Sequence, residues 1–299
     1  VCFLQSGERG TIKAKADFDA GDDAVALRKA IEGLGTREKT LIDVLTRRSS
    51  AQRQLICAAY QEATGRSLEE DLRGDTHGDF EEVLVALVTP PAAYDCHEVA
   101  RAMKGLGTAD SVLIEIFASR SNQQIKALSE VYLEGKDVHA EPVRLKTSKS
   151  GKRDESTTVD PEKAKEDAKT LYDAGEKKWG TDESKFIDIL CHRSIPQLRQ
   201  TLIEYKNISG KSLQQSIEGE MSGKLEELLV AIVKCVKSVP AYMAERLYES
   251  MKGGGTDEAT LNRIMVSRSE IDLLDIRAEF KKLYSYSLHS AIEVSDCVP

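Results

Sequence analysis

Four short glycine-rich segments combine residue types that can bind a hard cation. They end in a threonine, at Thr36, Thr108, Thr181 and Thr256; three read Gly-x-Gly-Thr and the third in order reads Trp-Gly-Thr. A glycine-rich loop before a helix can point amide hydrogens at a phosphate or carbonyl oxygens at a cation. None of the four loops carries the phosphate-loop pattern Gly-x-x-x-x-Gly-Lys-Ser/Thr, so the pattern favours a cation.

These loops recur at a nearly constant interval. The steps between the threonines are 72, 73 and 75 residues, and an Arg-Ser pair begins twelve residues after each threonine. An interval of this length indicates four tandem copies of one unit. Apolar residues after each loop follow a helical period, as Leu41, Val44 and Leu45 do. The sequence therefore predicts an all-α chain with about five helices per repeat.

In two of the four repeats a carboxylate follows the loop at the same distance in sequence. Counting 39 residues past the threonine reaches Asp75 in the first repeat and Glu220 in the third. Calcium takes about six to eight oxygens, and a carboxylate is the usual complement to loop carbonyls. The shared spacing predicts a calcium site in each of these repeats. The alternatives are that the loops are plain helix–helix turns and that the two carboxylates are solvated residues at helix ends.

Helix boundaries can be read from the same repeats. The loop threonine is predicted to be the N-cap of the helix that follows it, and Gly65 and Gly210 are predicted to end the next helix. The arginines of the Arg-Ser pairs are expected to donate to carbonyls at helix C-termini and not to bind ligand. They are Arg48, Arg120, Arg193 and Arg268.

Composition and charge narrow the class of partner. The 299 residues are 40% hydrophobic and 31% charged, a normal globular balance, and no apolar run approaches the ~18 residues of a membrane span. The six cysteines lie far apart, which favours free thiols in a reducing compartment. A net charge of −8 argues against nucleic acid and against direct attraction to acidic lipid. A divalent cation between protein and lipid would reconcile the two negative surfaces.

The segments KGLGT, KWGTDE, MKGGGTDE and RIMVSRSEIDLLDIRAEF resemble the annexin family, and the resemblance covers nearly the whole chain. It implies four repeats of about five helices in a right-handed superhelix, forming a curved disc whose convex face carries calcium. The implied divisions are an N-terminal tail at 1–17, repeats at 18–89, 90–150, 165–236 and 237–299, and a linker at 151–164.

The resemblance also implies which atoms hold calcium. In the first repeat the ligands would be the carbonyls of Ile31, Gly33 and Gly35 with the Asp75 carboxylate, and in the third the carbonyls of Lys178 and Gly180 with the Glu220 carboxylate. The second loop would offer the carbonyls of Met103, Gly105 and Gly107, and the fourth those of Met251, Gly253 and Gly255. Weaker secondary sites would use a threonine carbonyl and the glutamate two residues on. These pairs are Thr36 with Glu38, Thr181 with Glu183, and Thr256 with Glu258; the second repeat has Asp110 instead.

Two repeats depart from the family pattern. The residue 39 positions after the loop threonine is Thr147 in the second repeat and Ser295 in the fourth, and neither supplies a carboxylate. The stretch 135–151 lacks the apolar pattern of a fourth and fifth helix, and the fourth repeat stops before a fifth helix. We therefore expect two good calcium sites and two that are impaired or absent, with uncovered apolar faces that cost stability.

The function implied is calcium-dependent, peripheral binding to anionic phospholipid membranes by a cytoplasmic monomer that binds no nucleic acid. One alternative is a phosphohydrolase or phospholipase-modulating activity on inositol phosphates or phospholipids. No nucleophile with a paired base and no carboxylate dyad is evident, so the chain is not expected to be an enzyme. Another alternative is a destabilised variant with impaired membrane binding.

Overall fold

The structure is a computed structural model that describes residues 9–32, 35–104, 109–134, 152–176, 180–253 and 255–295. Within these ranges the chain forms 17 α-helices and no strand. The predicted all-α class is therefore confirmed. The first repeat contains α1 (Ala20–Ile31), α2 (Glu38–Leu45), α3 (Ser50–Thr64), α4 (Leu68–Asp75) and α5 (Gly78–Val88). The described part of the second contains α6 (Pro91–Met103), α7 (Asp110–Ser119) and α8 (Asn122–Glu134).

The third repeat again has five helices: α9 (Pro161–Ala174), α10 (Glu183–His192), α11 (Ile195–Ser209), α12 (Leu213–Glu220) and α13 (Lys224–Lys237). The described part of the fourth has four: α14 (Val239–Ser250), α15 (Glu258–Arg268), α16 (Leu273–Tyr284) and α17 (Leu288–Ser295). The prediction about 135–151, including Thr147, lies outside the described residues. The repeat boundaries stay a prediction.

The chain divides into two compact units. One comprises Val1–Tyr94 with Met243–Pro299, and the other comprises Asp95–Tyr242. The first unit therefore joins the first repeat to most of the fourth, and α5 packs against α15 within it. The second unit joins most of the second repeat to the third, and α7 packs against α13 there.

In each five-helix repeat, every helix contributes at least one buried apolar residue to the core. In the first repeat the fully buried set includes Leu27, Leu41, Ile56, Leu72 and Leu84. The third repeat has a corresponding set of Leu171, Leu190, Leu198, Ile217 and Leu229. The helical spacing of these residues places them on one face of each helix, and their burial is the main force that holds each repeat together.

The helix after each Arg-Ser pair is delimited as predicted in the first and third repeats. The side chains of Ser49 and Ser194 accept hydrogen bonds from the third residue of α3 and α11. These helices end at Gly65 and Gly210, whose φ angles are 72° and 74°. That left-handed conformation favours glycine because it has no Cβ to clash with the carbonyl.

The arginines of the Arg-Ser pairs are structural, but their main acceptors are carboxylates, so the predicted helix-end carbonyls are not the principal partners. Both Nε and Nη2 of each guanidinium contact the two oxygens of one aspartate, at 2.5–2.9 Å. The pairs are Arg48 with Asp23, Arg120 with Asp95, Arg193 with Asp167, and Arg268 with Asp272. A buried guanidinium needs an opposite charge more than a neutral carbonyl, which explains the difference.

The segment before α1 packs against the fourth repeat within the first unit. The Thr11 amide donates to the Ser269 carbonyl at 2.7 Å, and Arg9 Nε lies 2.9 Å from Asp275 Oδ1. At Gly10 a Cβ would lie only 2.4 Å from the Glu270 backbone, so this close approach requires glycine. Residues that precede α1 therefore help to hold the first and fourth repeats together.

Candidate functional site

All four glycine-rich loops are closed by an equivalent backbone hydrogen bond. The amide that follows the loop threonine donates to a carbonyl at the end of the preceding long helix. The pairs are Arg37 to Ala30 (2.9 Å), Ala109 to Ala102 (2.9 Å), Asp182 to Ala174 (2.9 Å) and Asp257 to Ser250 (2.7 Å). The third loop holds one residue more than the other three between donor and acceptor. The altered Trp-Gly-Thr motif therefore keeps the same closure with a longer loop.

The loop threonine is not an N-cap, contrary to the prediction. The N-caps of α2, α10 and α15 are the residues after it, Arg37, Asp182 and Asp257. The Thr36 hydroxyl instead donates to the Asp75 carbonyl at 3.0 Å, and the Thr181 hydroxyl donates to the Glu220 carbonyl at 3.2 Å. The last carbonyls of a helix lack intrahelical donors, so the threonine satisfies one at the end of another helix.

These two hydrogen bonds bring each loop to its acidic residue. Asp75 and Glu220 are the last residues of α4 and α12, and both are exposed. The C-terminal end of a helix carries a partial negative charge, so a carboxylate there is electrostatically unfavourable until a cation approaches. The arrangement is therefore suited to a cation and poorly suited to a phosphate.

The loop backbone has the same shape in the first and third repeats at its final glycine. Gly35 and Gly180 both have φ of 85°, while Gly255 at the same position in the fourth repeat does not have a positive φ. In the fourth loop it is Gly253 that takes a positive φ, 126°. The backbone conformation at these glycines therefore differs between the fourth loop and the first and third loops.

In the same two repeats an ion pair lies at the start of the loop. It was not predicted from the sequence. Glu32 Oε1 lies 2.9 Å from Arg66 Nη2, and Glu176 Oε1 lies 3.2 Å from Lys211 Nζ. Both basic residues stand 30 positions after the loop threonine, so a search for recurring charge at fixed spacing would have found them. Each pair joins the loop to the turn that precedes the acid-bearing helix.

Glu176 also accepts a hydrogen bond from the Ser216 hydroxyl at 2.7 Å. This bond, with the Lys211 charge, holds the pKa of Glu176 below its ordinary value of 4.5. A lowered pKa means that the carboxylate stabilises the fold above about pH 4.5 and that the contribution is lost as pH falls through the folded-state pKa.

We expect Glu176→Gln to lower the urea midpoint at pH 7, with the difference from the unmodified chain shrinking as the pH falls below about 4.5. Glutamine keeps the shape of the side chain but does not ionise, so only the pH-dependent part is removed. Urea unfolding followed by circular dichroism at several pH values measures this. Glu218→Gln, on the exposed side of the same α12, is the control; an equal pH response in both variants would contradict the assignment.

Thr36→Val is expected to lower the affinity of the first repeat for calcium and to reduce stability by about 0.5 kcal/mol, the low end for a lost hydrogen bond because this one is exposed. The valine is nearly isosteric but leaves the Asp75 carbonyl without its donor. Isothermal titration calorimetry measures the affinity. Thr36→Ser keeps the hydroxyl and is expected to retain the affinity; a loss as large as that of Thr36→Val would mean that the methyl group matters and the hydrogen bond does not.

The remaining predicted ligands have the following positions. Ile31 and Met103 are the last residues of α1 and α6, and Met251 follows α14 directly, so their carbonyls lie at helix ends. The secondary acids Glu38, Glu183 and Glu258 are exposed first residues of α2, α10 and α15. Asp110 begins α7, and its Oδ2 lies 3.9 Å from Lys224 Nζ. Gly33, Gly105, Gly107 and Lys178 lie outside the described residues.

In the fourth repeat the structure brings the loop and the counterpart of the acidic residue to one cavity. Met251, Gly253, Gly255 and Thr256 line this cavity together with Ser295. Ser295, 39 residues after Thr256, thus lines the same cavity as the loop and carries a hydroxyl where the first and third repeats have a carboxylate. Asp296 lies outside the described residues.

The described ranges contain no cluster of three histidine, cysteine, aspartate or glutamate side chains arranged to hold a metal ion. None of the helices in the same ranges combines the length and apolar character needed to cross a membrane.

Known proteins match this arrangement along the chain. A sequence model of the family described as Annexin matches residues 22–87, 94–136, 166–232 and 242–297, one segment in each of the four predicted repeats. The chain belongs to the annexin family. The predicted resemblance is thereby confirmed, as is the organisation of this annexin into four repeats.

Individual relatives of this annexin agree over nearly their full length. Annexin A3 of Mus musculus is 55% identical, with 96% of this chain and 92% of the relative covered. The solved structure of annexin III superposes with a TM-score of 0.91 at 53% identity, covering 97% of this chain and 94% of that one. A calcium-bound annexin (Sm)1 superposes with a TM-score of 0.84 at 32% identity, covering 97% and 90%.

Proposed function

We propose that this annexin binds anionic phospholipid membranes peripherally and reversibly, with calcium held between its loops and the lipid phosphates. The proposal is supported by the hydrogen bonds of Thr36 to Asp75 and of Thr181 to Glu220, because in both repeats they hold the residue that carries the carboxylate next to the loop threonine. A calcium-bound structure of a relative, annexin (Sm)1, supports the choice of ion.

The charge of the chain supports a cation-mediated mode of binding. At a net charge of −8 the protein is repelled by an anionic bilayer. Calcium supplies positive charge at the contact and can be coordinated by oxygen atoms of both the protein and the lipid. Carbonyls and one carboxylate leave part of a shell of about six to eight oxygens to be filled, and lipid phosphate oxygens are suited to fill it.

In the proposed sites the first repeat uses the carbonyls of Ile31, Gly33 and Gly35 with the Asp75 carboxylate. The third uses the carbonyls of Lys178 and Gly180 with the Glu220 carboxylate. Sites with one carboxylate each bind calcium weakly in solution, in the range of about 10⁻⁵–10⁻³ M. Two sites that engage one membrane raise the apparent affinity through multivalency, by about 10²-fold or more.

The second and fourth loops are proposed as weak or incomplete sites. In the fourth repeat Ser295 offers no carboxylate, and Gly255 lacks the positive φ that Gly35 and Gly180 share. A cation there would depend on carbonyl oxygens and on Glu258 alone. We also propose that the protein is a cytoplasmic monomer, that it has no catalytic activity and that it binds no nucleic acid.

Sedimentation with phosphatidylserine vesicles tests the proposal. The chain is expected to pellet with the vesicles in millimolar calcium, to remain in the supernatant in chelator, and to ignore phosphatidylcholine vesicles in both. Attachment to phosphatidylserine that persists in chelator would refute the calcium bridge. A cooperative transition in a heat-capacity scan is the accompanying control, since a poorly folded variant would pellet by aggregation without vesicles as well.

A further inference from the structure

A cavity of about 450 Å³ opens beside the fourth loop, inside the first unit. Its wall consists of loop residues and of residues from α14, the turn before α17, and α17. These are Tyr248, Met251, Gly253, Gly255, Thr256, Tyr286, Ser290, Ala291, Val294 and Ser295. We call it the fourth-repeat cavity. Its volume lies in the range of about 300–1,000 Å³ that is typical of small-molecule sites.

Two of the corresponding positions in the first and third repeats carry charged residues. Position 30 after the loop threonine is Arg66 or Lys211 there, each paired with a glutamate of the loop, but Tyr286 in the fourth repeat. Position 38 is glycine in both, and Val294 in the fourth; position 39 is Asp75 or Glu220 there, and Ser295 in the fourth. The fourth repeat thus has uncharged residues at the two positions that are charged in the first and third, and a valine where these repeats have glycine.

Aromatic rings stiffen one side of the fourth-repeat cavity. The rings of Tyr248 and Tyr284 stack with centroids 3.9 Å apart and an interplanar angle of 9°. Phe280 contacts Tyr286 edge-on, with centroids 5.7 Å apart. Rings held by such contacts form a fixed apolar wall, because moving one costs its stacking with the next.

Two serine hydroxyls of the wall already have hydrogen-bond partners within the protein. The Ser290 hydroxyl is 2.8 Å from that of Ser287, and the Ser295 hydroxyl donates to the Ile292 carbonyl at 2.9 Å. Val294 is 65% exposed at the edge of the cavity, an unfavourable position for an aliphatic side chain in water. Lys252 follows the lining residue Met251 in the chain, and its ammonium lies 5.7 Å from the centroid of the Tyr248 ring.

We propose that the fourth-repeat cavity binds one hydrocarbon chain of an anionic lipid, without a metal ion. The chain lies against Tyr248, Tyr286 and Val294, where it removes apolar surface from water. The negative head group stays at the mouth, within reach of Lys252. Because the binding needs no calcium, it stands or falls separately from the calcium bridge at the first and third loops.

Titration of the full chain with a fluorescent long-chain fatty acid, below its micelle concentration and in chelator, tests the proposal. The unmodified chain is expected to bind at one site. Val294→Glu and Tyr286→Lys are each expected to raise Kd by about tenfold or more, since a charge at the wall disfavours the hydrocarbon. The lysine is the residue that the third repeat carries at this position, so the loop tolerates it there.

Leu55→Glu is the matched control, because Leu55 is 57% exposed on α3 of the same unit and does not line the cavity. It is expected to leave Kd unchanged. A parallel arm offers phosphatidylglycerol vesicles in chelator, and no attachment is expected there, because a lipid chain would have to leave the bilayer to enter the cavity. Binding of the fatty acid alone identifies a free single-chain lipid as the ligand. Absence of fatty acid binding, or an equal loss in Leu55→Glu, would overturn the proposal.

Discussion

Replacing Asp75 and Glu220 with alanine in one chain is expected to raise the calcium concentration for half-maximal vesicle binding by about a hundredfold or more. Each carboxylate is the single acidic ligand of its proposed site, and a contact to a charged group contributes about 1.5–3 kcal/mol. The two residues lie in different compact units, so their effects should add. Each single variant is expected to shift the midpoint by about tenfold. Sedimentation across a calcium series measures the shifts.

The charge-matched control for this experiment is Glu70→Ala combined with Glu218→Ala. These residues are exposed on α4 and α12, so the control removes the same number of charges from the same two helices. Its calcium midpoint should stay close to that of the unmodified chain. If the two double variants moved together, net charge and not coordination would govern attachment.

Thermal unfolding in chelator separates lost coordination from lost folding. Asp75 and Glu220 end their helices, where a carboxylate opposes the helix dipole. Removing them should therefore leave the melting temperature unchanged or raise it slightly, by a few tenths of a kcal/mol in stability. A large fall in melting temperature would show that the residues have a structural role that this geometry does not provide.

Asp95→Asn is expected to cause the largest loss of stability of any single substitution considered for this annexin, about 3–5 kcal/mol. The side chains of Arg120 and Asp95 are only 2% and 9% exposed, and the guanidinium makes two bonds of 2.8 Å to the carboxylate. Asparagine keeps the volume but removes the negative charge that makes two hydrogen bonds to the buried guanidinium of Arg120. Against a typical stability of about 5–15 kcal/mol this approaches unfolding at ambient temperature. Chemical denaturation gives the value.

Two further substitutions in the same unit calibrate that result. Asp167→Asn breaks the equivalent pair in the third repeat, but Arg193 is 30% exposed and water can solvate it, so the loss should be smaller. Glu130→Gln breaks the exposed pair with Lys126 on α8 and should change stability by less than about 1 kcal/mol. The order Asp95, Asp167, Glu130 follows burial; any other order would mean that burial does not set the cost.

The features that could be predicted from the sequence are those that recur at a fixed spacing along it. The all-α class, the four repeats, the glycines that end α3 and α11, and the register of Asp75 and Glu220 with their loops were all predicted from it. Helix formation depends on residues within a few positions of each other, and a recurring motif makes even a distance of 39 residues visible. Pairs of arginine and aspartate 25 or 26 positions apart recur in the first three repeats and were missed. In the fourth repeat Arg268 pairs with Asp272 instead, four positions away.

By itself, then, the sequence determined the helical repeats, the family and the sequence spacing that assigns Asp75 to the first loop and Glu220 to the third. Only the tertiary structure decided that the loop threonines bond to the ends of α4 and α12, that the first repeat joins most of the fourth in one compact unit, and that an apolar cavity stands beside the fourth loop. The physical reason is that these features depend on which donors, charges and apolar faces meet after distant helices pack, and such contacts leave no local period in the chain.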